Sequence, residues 1–306
     1  MAPTRRDFLK ATVAGAVAST LPSATAQAQA AFTLDYILAS SLYGQLPLKD
    51  ILPEVAKNGA THIDLWPKKH GSQREELDAM GEEAFMALLA EHNVTPGIFT
   101  RYDLGPYKLL DEVKLAGKLG ARLVIAASGS GASEGPDLKE RLTAFIEKIK
   151  PTTEAAEEAG VIVGIENHGN ALLHSPDSMR YFAELATSPA LGIAFAPYHL
   201  PQDPELQAQL IRDIGPKLSH FYAWEHGYGS HEAMPKAREM QQLPGYGPLD
   251  FLPIIQALKD TGYAGWTSVF MHPYPRGIPI LPTIAESTAA LNRSREYLEH
   301  CVGKLA

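Results

Sequence analysis

Cysteine is almost missing from this 306-residue chain: Cys301 stands alone, so no disulfide can form within one molecule. Its place in a terminal amphipathic segment reads as packing, not as a nucleophile. Basic side chains are scarce too: 27 Lys and Arg face 35 Asp and Glu, a net charge of −8. An acidic surface argues against nucleic acid or an anionic membrane as partner. The longest Ala/Val-rich stretch, Ala11 to Leu21, is about half the ~20 residues that a membrane span needs. No Gly-x-Gly-x-x-Gly follows the first strand-like run, which argues against a nucleotide cofactor. Linker-like and low-complexity tracts are absent after Ala31.

What is present begins with Thr4-Arg5-Arg6-Asp7-Phe8-Leu9-Lys10, the apolar stretch, and a small-residue end at Ala26-Gln27-Ala28-Gln29-Ala30. That order describes a secretory signal, and the paired arginines before Phe-Leu-Lys resemble a twin-arginine signal. Residues 1–30 are therefore expected to be a cleaved signal peptide and residues 31–306 the working domain. The expected location is periplasmic or secreted, with no membrane attachment after cleavage. Cleavage leaves 24 basic and 34 acidic residues, a net charge of −10.

The remainder alternates short apolar runs with longer segments of helical period. Strands are expected at 32–39, 61–66, 94–99, 121–127, 161–166, 190–196, 218–223 and 266–271. Helices are expected near 47–58, 73–92, 107–119, 137–159, 176–187, 204–214, 249–261 and 284–301. Ser175-Pro176 and Asp203-Pro204 read as an N-cap followed by proline at the first helical position. Glycines 59, 120, 160 and 262 stand between a helix and the next strand. Eight such units predict an α/β fold, a single (β/α)8 TIM barrel.

The run Val161-Ile-Val-Gly-Ile-Glu-Asn-His-Gly169 ends an apolar strand in a carboxylate, an amide and an imidazole. Such an ending suits a strand whose C-terminal end faces a cavity, where a barrel of this kind places its chemistry. Glu166 is the leading candidate.

Further segments carry a resemblance. Gly160 to His168, Pro244-Gly245-Tyr246-Gly247-Pro248-Leu249-Asp250-Phe251, Ile254 to Leu258, and Gly262-Tyr263-Ala264-Gly265-Trp266 resemble the xylose-isomerase-like barrel superfamily of sugar-phosphate isomerases and epimerases, whose fold endonuclease-IV relatives share. The resemblance implies a divalent metal (Mn, Mg or Zn) at the barrel mouth, held by a Glu on strand 5, an Asp on strand 6, a His on strand 7 and a Glu on strand 8. It also implies that the two glutamates move protons on a sugar carbon next to its carbonyl. Glu166 keeps the first position. The others read Ala196, Tyr222 and Phe270, so three of the four implied ligands are replaced. A metal needs several donors converging at about 2.0–2.3 Å, and alanine and phenylalanine offer none.

Other polar groups lie near the strand ends. A rebuilt metal site would use Glu166, His199 and His272, with His220 or Glu225. His168 reads equally as a loop tie and as a functional group, and His220 reads first as a core histidine. Trp66 and Trp224 would stack on a sugar or pack the core. Residues two apart on a strand face the same way, so Tyr222 carries His220 below it and Trp224 above it. His62 reads as structural, and His92, His174 and His300 as solvated. Asp64, Lys68, Lys69 and Arg101 read as a solvated rim.

Two functions follow from these residues. The first is a carbohydrate isomerase, epimerase or lyase with Glu166 as base. His199, His168 or His272 would stabilise the enediolate, and Glu225 or Tyr222 would return the proton. Trp66, His220, Tyr222, Trp224, Glu225 and His272 would contact substrate. The second is a non-catalytic exported barrel that binds a carbohydrate or supports another enzyme. Both take a small-molecule carbohydrate as partner, and both leave monomer and oligomer open. DNA repair chemistry fits poorly with an acidic exported chain.

Overall fold

The computed structural model describes residues 31–227 and 230–305, so the expected signal segment lies outside the described residues. Eight strands, β1 (Asp35–Ala39), β2 (His62–Leu65), β3 (Thr95–Thr100), β4 (Leu123–Ala127), β5 (Ile162–Glu166), β6 (Leu191–Phe195), β7 (Leu218–Ala223) and β8 (Trp266–Val269), pair in chain order. All eight pairings are parallel, and β8 closes the barrel on β1. The expected (β/α)8 barrel is therefore the observed one. Its strands are apolar runs because both faces are covered; in β6 every residue is buried.

The helices are α1 (Leu48–Lys57), α2 (Gln73–Met80), α3 (Glu82–Glu91), α4 (Leu110–Leu119), α5 (Leu138–Ala159), α6 (Pro176–Leu185), α7 (Pro204–Ile214), α8 (Lys236–Glu239), α9 (Leu252–Asp260) and α10 (Ile284–Val302). None of the described helices is long and apolar enough to cross a membrane. The two caps read from sequence are made. Ser175 Oγ accepts the Ser178 amide at 3.1 Å, and Asp203 Oδ1 accepts the Glu205 and Leu206 amides at 3.0 and 3.2 Å. Gly120 and Gly160 end α4 and α5 in left-handed conformations.

Two expectations change. The single helix foreseen over 73–92 is two, because Gly81 at φ 80° and ψ 160° leaves helical space between α2 and α3. The short α8, which periodicity did not signal, occupies the long segment after β7.

The barrel interior is not wholly apolar. Thr100 Oγ1 of β3 donates to Asp64 Oδ1 of β2 at 2.9 Å, and Trp66 Nε1 donates to Asp64 Oδ2 at 2.6 Å. Tyr222 of β7 bears on the same group. An electrostatic influence between β7 and β2 acts across the inside of the barrel, since the strands are not neighbours. Asp64 is 0% exposed, so it is an interior group and not part of a solvated rim. Burial pushes its carboxyl well above the usual range, and the Thr100 and Trp66 donors only partly offset this.

Candidate active site

A cavity of about 240 Å³ lies at the C-terminal ends of the strands. Glu166, the last residue of β5, lines it together with His168 and His199. The strand delivers Glu166 to the mouth, and the next residue fixes the neighbourhood. Asn167 Oδ1 accepts the Ala196 amide at 2.7 Å, and its Nδ2 donates to the Ala196 carbonyl at 3.0 Å. This side chain continues the β5–β6 pairing past the point where the backbones part. Ala196 leads into the single 3₁₀ turn Pro197–His199, so the same two bonds hold His199 near Glu166.

The Glu166 carboxylate is 3% exposed. Its Oε2 accepts a short hydrogen bond from the Tyr102 hydroxyl. Its Oε1 lies 3.7 Å from His199 Nε2. Burial raises the carboxyl pKa, against lowering by His168, Tyr102 and Arg276. His199 is driven the other way: burial first, then the neighbouring His168 and His174, hold its imidazole far below its usual range. The ring is therefore neutral at physiological pH, and His199 Nε2 has no hydrogen-bond partner among the described residues. A carboxyl that binds its proton more tightly than usual, a phenol bonded to it and a neutral imidazole in contact make an acid–base group.

The walls are aromatic. Trp224 stacks on Tyr198 with centroids 3.9 Å apart. The Gln242 side-chain carbonyl accepts from Trp224 Nε1 at 3.1 Å and from the His272 amide at 3.2 Å, while its Nε2 donates to the His272 carbonyl at 2.9 Å. One glutamine from the β7–α9 segment thus fixes both the Trp224 and the His272 walls. The His70 ring packs on His272 at 4.7 Å. Ser230, His231 and Arg276 complete the outer side.

Of the residues expected from sequence, Glu166, His168, His199, Trp224 and His272 meet around this cavity. Trp66, His220, Tyr222 and Glu225 do not line it. Trp66, 1% exposed, lies beneath it, stacked on Phe270 at 5.3 Å and bonded to Asp64. Tyr222 packs edge-on against His220 at 4.4 Å inside the barrel. His220 is fully buried, and burial lowers its pKa to about 3, against a raising by the Trp266 backbone. Glu225 is 0% exposed and turned to the loop before α9, where its Oε2 accepts the Leu249 amide at 2.8 Å. The candidate second acid is thus a structural clip. His174 is also not a solvated histidine, since its Nε2 donates to the His199 carbonyl at 2.8 Å. Arg101 is paired with Asp103 at 2.9 Å and with Glu112.

Tyr102, His70 and Arg276 were not expected. Tyr102 had a usable signal, because it lies two residues beyond Thr100 at the end of β3. His70 and Arg276 sit in loops after β2 and β8, and nothing local marks them.

The implied metal positions can now be compared with what fills them. Ala196 supplies no donor. Phe270 packs on Trp66 and, at 5.0 Å, on Tyr222. Where a metal would sit between strands 5 to 8, an aromatic group closes the cavity floor. Glu166, His199 and His272 share the cavity, yet among the described residues no three His, Cys, Asp or Glu side chains converge to hold a metal ion. The donor set does not fit the implied four-ligand site.

A second recess of about 360 Å³ lies at the opposite, N-terminal end, around Trp266, Arg122 and Tyr263. No carboxylate or imidazole lines it, so the acid–base chemistry belongs to the C-terminal cavity.

Fold and site together define a (βα)8 barrel with an acid–base cavity at the C-terminal ends of its strands. Residues 52–298 match the Xylose isomerase-like TIM barrel family, and the chain belongs to it. No protein of curated function matches the chain significantly. Among solved structures, the chain is similar to a xylose isomerase domain protein from Alicyclobacillus acidocaldarius subsp. acidocaldarius, at 19% identity and a TM-score of 0.63, over 89% of this chain and 99% of that one. It is also similar to D-psicose 3-epimerase from Clostridium cellulolyticum H10, at 15% identity and a TM-score of 0.65, over 88% of this chain and 99% of that one. A third is the probable 3-DHS dehydratase AsbF of Bacillus anthracis, at 16% identity and a TM-score of 0.65, over 87% and 99%. At such identities these likenesses speak for the fold.

Proposed function

We propose that this protein is a carbohydrate isomerase or epimerase in which Glu166 moves a proton on the carbon next to a carbonyl, without a four-ligand metal site. The observation that carries this reading is the contact of Glu166 with Tyr102 and neutral His199 in one cavity. The ionised Glu166 takes the carbon-bound proton. The Tyr102 hydroxyl, bonded to the other carboxylate oxygen, holds the carboxylate's orientation. His199, neutral and close by, donates to the enediolate oxygen as negative charge develops there. Returning the proton from Glu166 to the neighbouring carbon, on the same face of the enediolate, gives the isomer; an epimer forms only when the proton returns to the opposite face, from a group other than Glu166. Epimerase relatives of the same fold, such as D-psicose 3-epimerase, support the substrate class. The cavity is the size of a monosaccharide, not of a polymer. Export through a twin-arginine signal belongs to the same proposal and rests on the Arg5-Arg6 to Ala30 pattern.

A second reading, a carbohydrate-binding barrel without turnover, is favoured by the aromatic filling at Tyr222 and Phe270. Solvent-deuterium exchange into a panel of ketoses and sugar acids, followed by NMR in the presence of EDTA, separates the two. Exchange is expected in the native protein and is expected to fall about 10³-fold or more in Glu166→Gln, the order of a lost general base. Ligand-induced stabilisation with no exchange into any sugar would favour the binding protein.

A further inference from the structure

The cavity is lined by a cation, Arg276, that forms no hydrogen bond or ion pair among the described residues. Arg276 lines the inner cavity beside Glu166, and it also lines an adjoining outer recess with Lys69, Ser230, His231 and Tyr274. Its Nη1 is buried and makes no hydrogen bond among the described residues. The acidic side chains that act on it at a distance are Glu166 and Glu239. Both are engaged elsewhere: Glu166 accepts from Tyr102, and Glu239 is held by Lys236 at 2.6 Å.

The other inward-turned arginines of this face are treated differently. Arg74 forms a paired contact with Glu112 at 2.7 and 3.0 Å and a further one with Asp78. Arg101 is shared between Asp103 and Glu112. Arg276 is half-buried, and a guanidinium nitrogen held out of water without a hydrogen-bond partner costs free energy that a bound anion would recover. Burial lowers the Arg276 pKa to about 10, which still leaves it charged at neutral pH. A planar fork of N–H groups matches a carboxylate in two parallel bonds.

We propose that Arg276, with Lys69 on the outer recess, receives a carboxylate of the substrate, so that the sugar acted on is a sugar acid such as a uronate or keto-uronate. The proposal rests on the reading of Glu166 as the proton-moving base. The carboxylate end lies at the junction of the two recesses and the carbonyl end at Glu166, His199 and Tyr102. Burial lowers the pKa of His70, His199 and His231 below the usual imidazole range, so they are largely neutral at pH 7. A phosphate would share the chemistry of an oxyanion on a guanidinium, so the experiment must separate the two sources.

Calorimetry and melting curves on the native protein would use galacturonate, glucuronate, tagaturonate and fructuronate against their neutral parent sugars. Fructose 6-phosphate and inorganic phosphate form the second arm. At least one uronate is expected to bind, with affinity falling as salt rises, while the neutral parents bind at least ten-fold more weakly. Arg276→Met is expected to cost about 10- to 100-fold in uronate affinity, and Arg276→Lys less. Neutral sugar affinity should stay level, which also reports that the variants fold. Lys69→Met gives a second, milder loss should Arg276→Met prove unstable. Glu166→Gln is expected to bind the uronate without exchanging its carbon-bound proton. Uronate binding through Arg276 with no exchange in native protein would sink the catalytic reading and leave the anion site standing. Equal binding of neutral parents, unchanged affinity in both Arg276→Met and Lys69→Met, or binding of the phosphates but no uronate would overturn the proposal.

Discussion

Replacing Glu225 by glutamine should stabilise the protein at alkaline pH and leave it unchanged in mild acid. The Glu225 carboxyl is fully buried, with Oε2 bonded to the Leu249 amide at 2.8 Å and Oε1 without a partner among the described residues. Burial raises its pKa from 4.5 to about 7, and the Leu249 and Gly247 amides only partly oppose this. The sign follows from which state holds the proton more tightly. Folded protein keeps the carboxyl neutral up to about pH 7, whereas the unfolded chain ionises near 4.5. As pH rises from about 4.5 to about 7 the unfolded state is progressively favoured, and above 7 the penalty is complete. A shift of that size corresponds to about 3 kcal/mol. For a domain of this length that is roughly 6–12 °C in melting temperature. Glu225→Gln keeps the shape and the acceptor for Leu249 but carries no charge. Melting curves of both proteins from pH 4.5 to 8.5 should coincide in acid and separate by about that amount above pH 7. Glu166 and Asp64 also have raised pKa values, but they act equally in both proteins and cancel in the difference. Parallel curves, or a variant less stable at every pH, would refute the assignment of Glu225 as a buried clip.

Two further outcomes test how the site is held. Asn167→Ala removes both bonds to the Ala196 backbone and leaves a buried amide and carbonyl unpaired. Urea denaturation should show a loss of about 2–4 kcal/mol. Gly192→Ala would place a methyl group 2.7 Å from Ser219 Cβ and 2.9 Å from the Lys217 carbonyl. The same assay should read a loss of about 1–3 kcal/mol from overpacking the β6–β7 contact.

The barrel was legible in the sequence because each strand is a buried apolar run punctuated by caps and glycines. Ser175, Asp203, Gly120 and Gly160 act locally, so their effects can be read locally. Glu166 was legible for the same reason, as a polar ending on an apolar strand. Gly81 was passed over because the apolar period continues on both sides of it, and only its positive φ reveals the break. Trp66 and Glu225 have the right residue types at strand ends, but their directions are set by distant partners. Asp64 and Phe270 hold Trp66 beneath the floor, and Leu249 holds Glu225 in the loop. Tyr102 was open to the two-residue rule applied to Tyr222 and Trp224. Arg276 was not, because a loop arginine has no period.

The aromatic side chains at the implied ligand positions Tyr222 and Phe270 behave as one packed unit. Phe270 touches Trp66, Tyr222, Trp224 and His272, with ring centroids between 4.9 and 5.3 Å. Trp66 in turn satisfies Asp64, and Asp64 is further bonded to Thr100. Restoring a carboxylate at residue 270 alone would bury a charge among four rings with no cation in place, and Ala196 would still offer nothing. The floor of the barrel mouth is therefore built around aromatic packing. What remains polar at the mouth is one carboxylate, a phenol, a ring of imidazoles and a guanidinium. Such a set can shuttle a proton at Glu166 and hold an anion at Arg276 within the same small cavity.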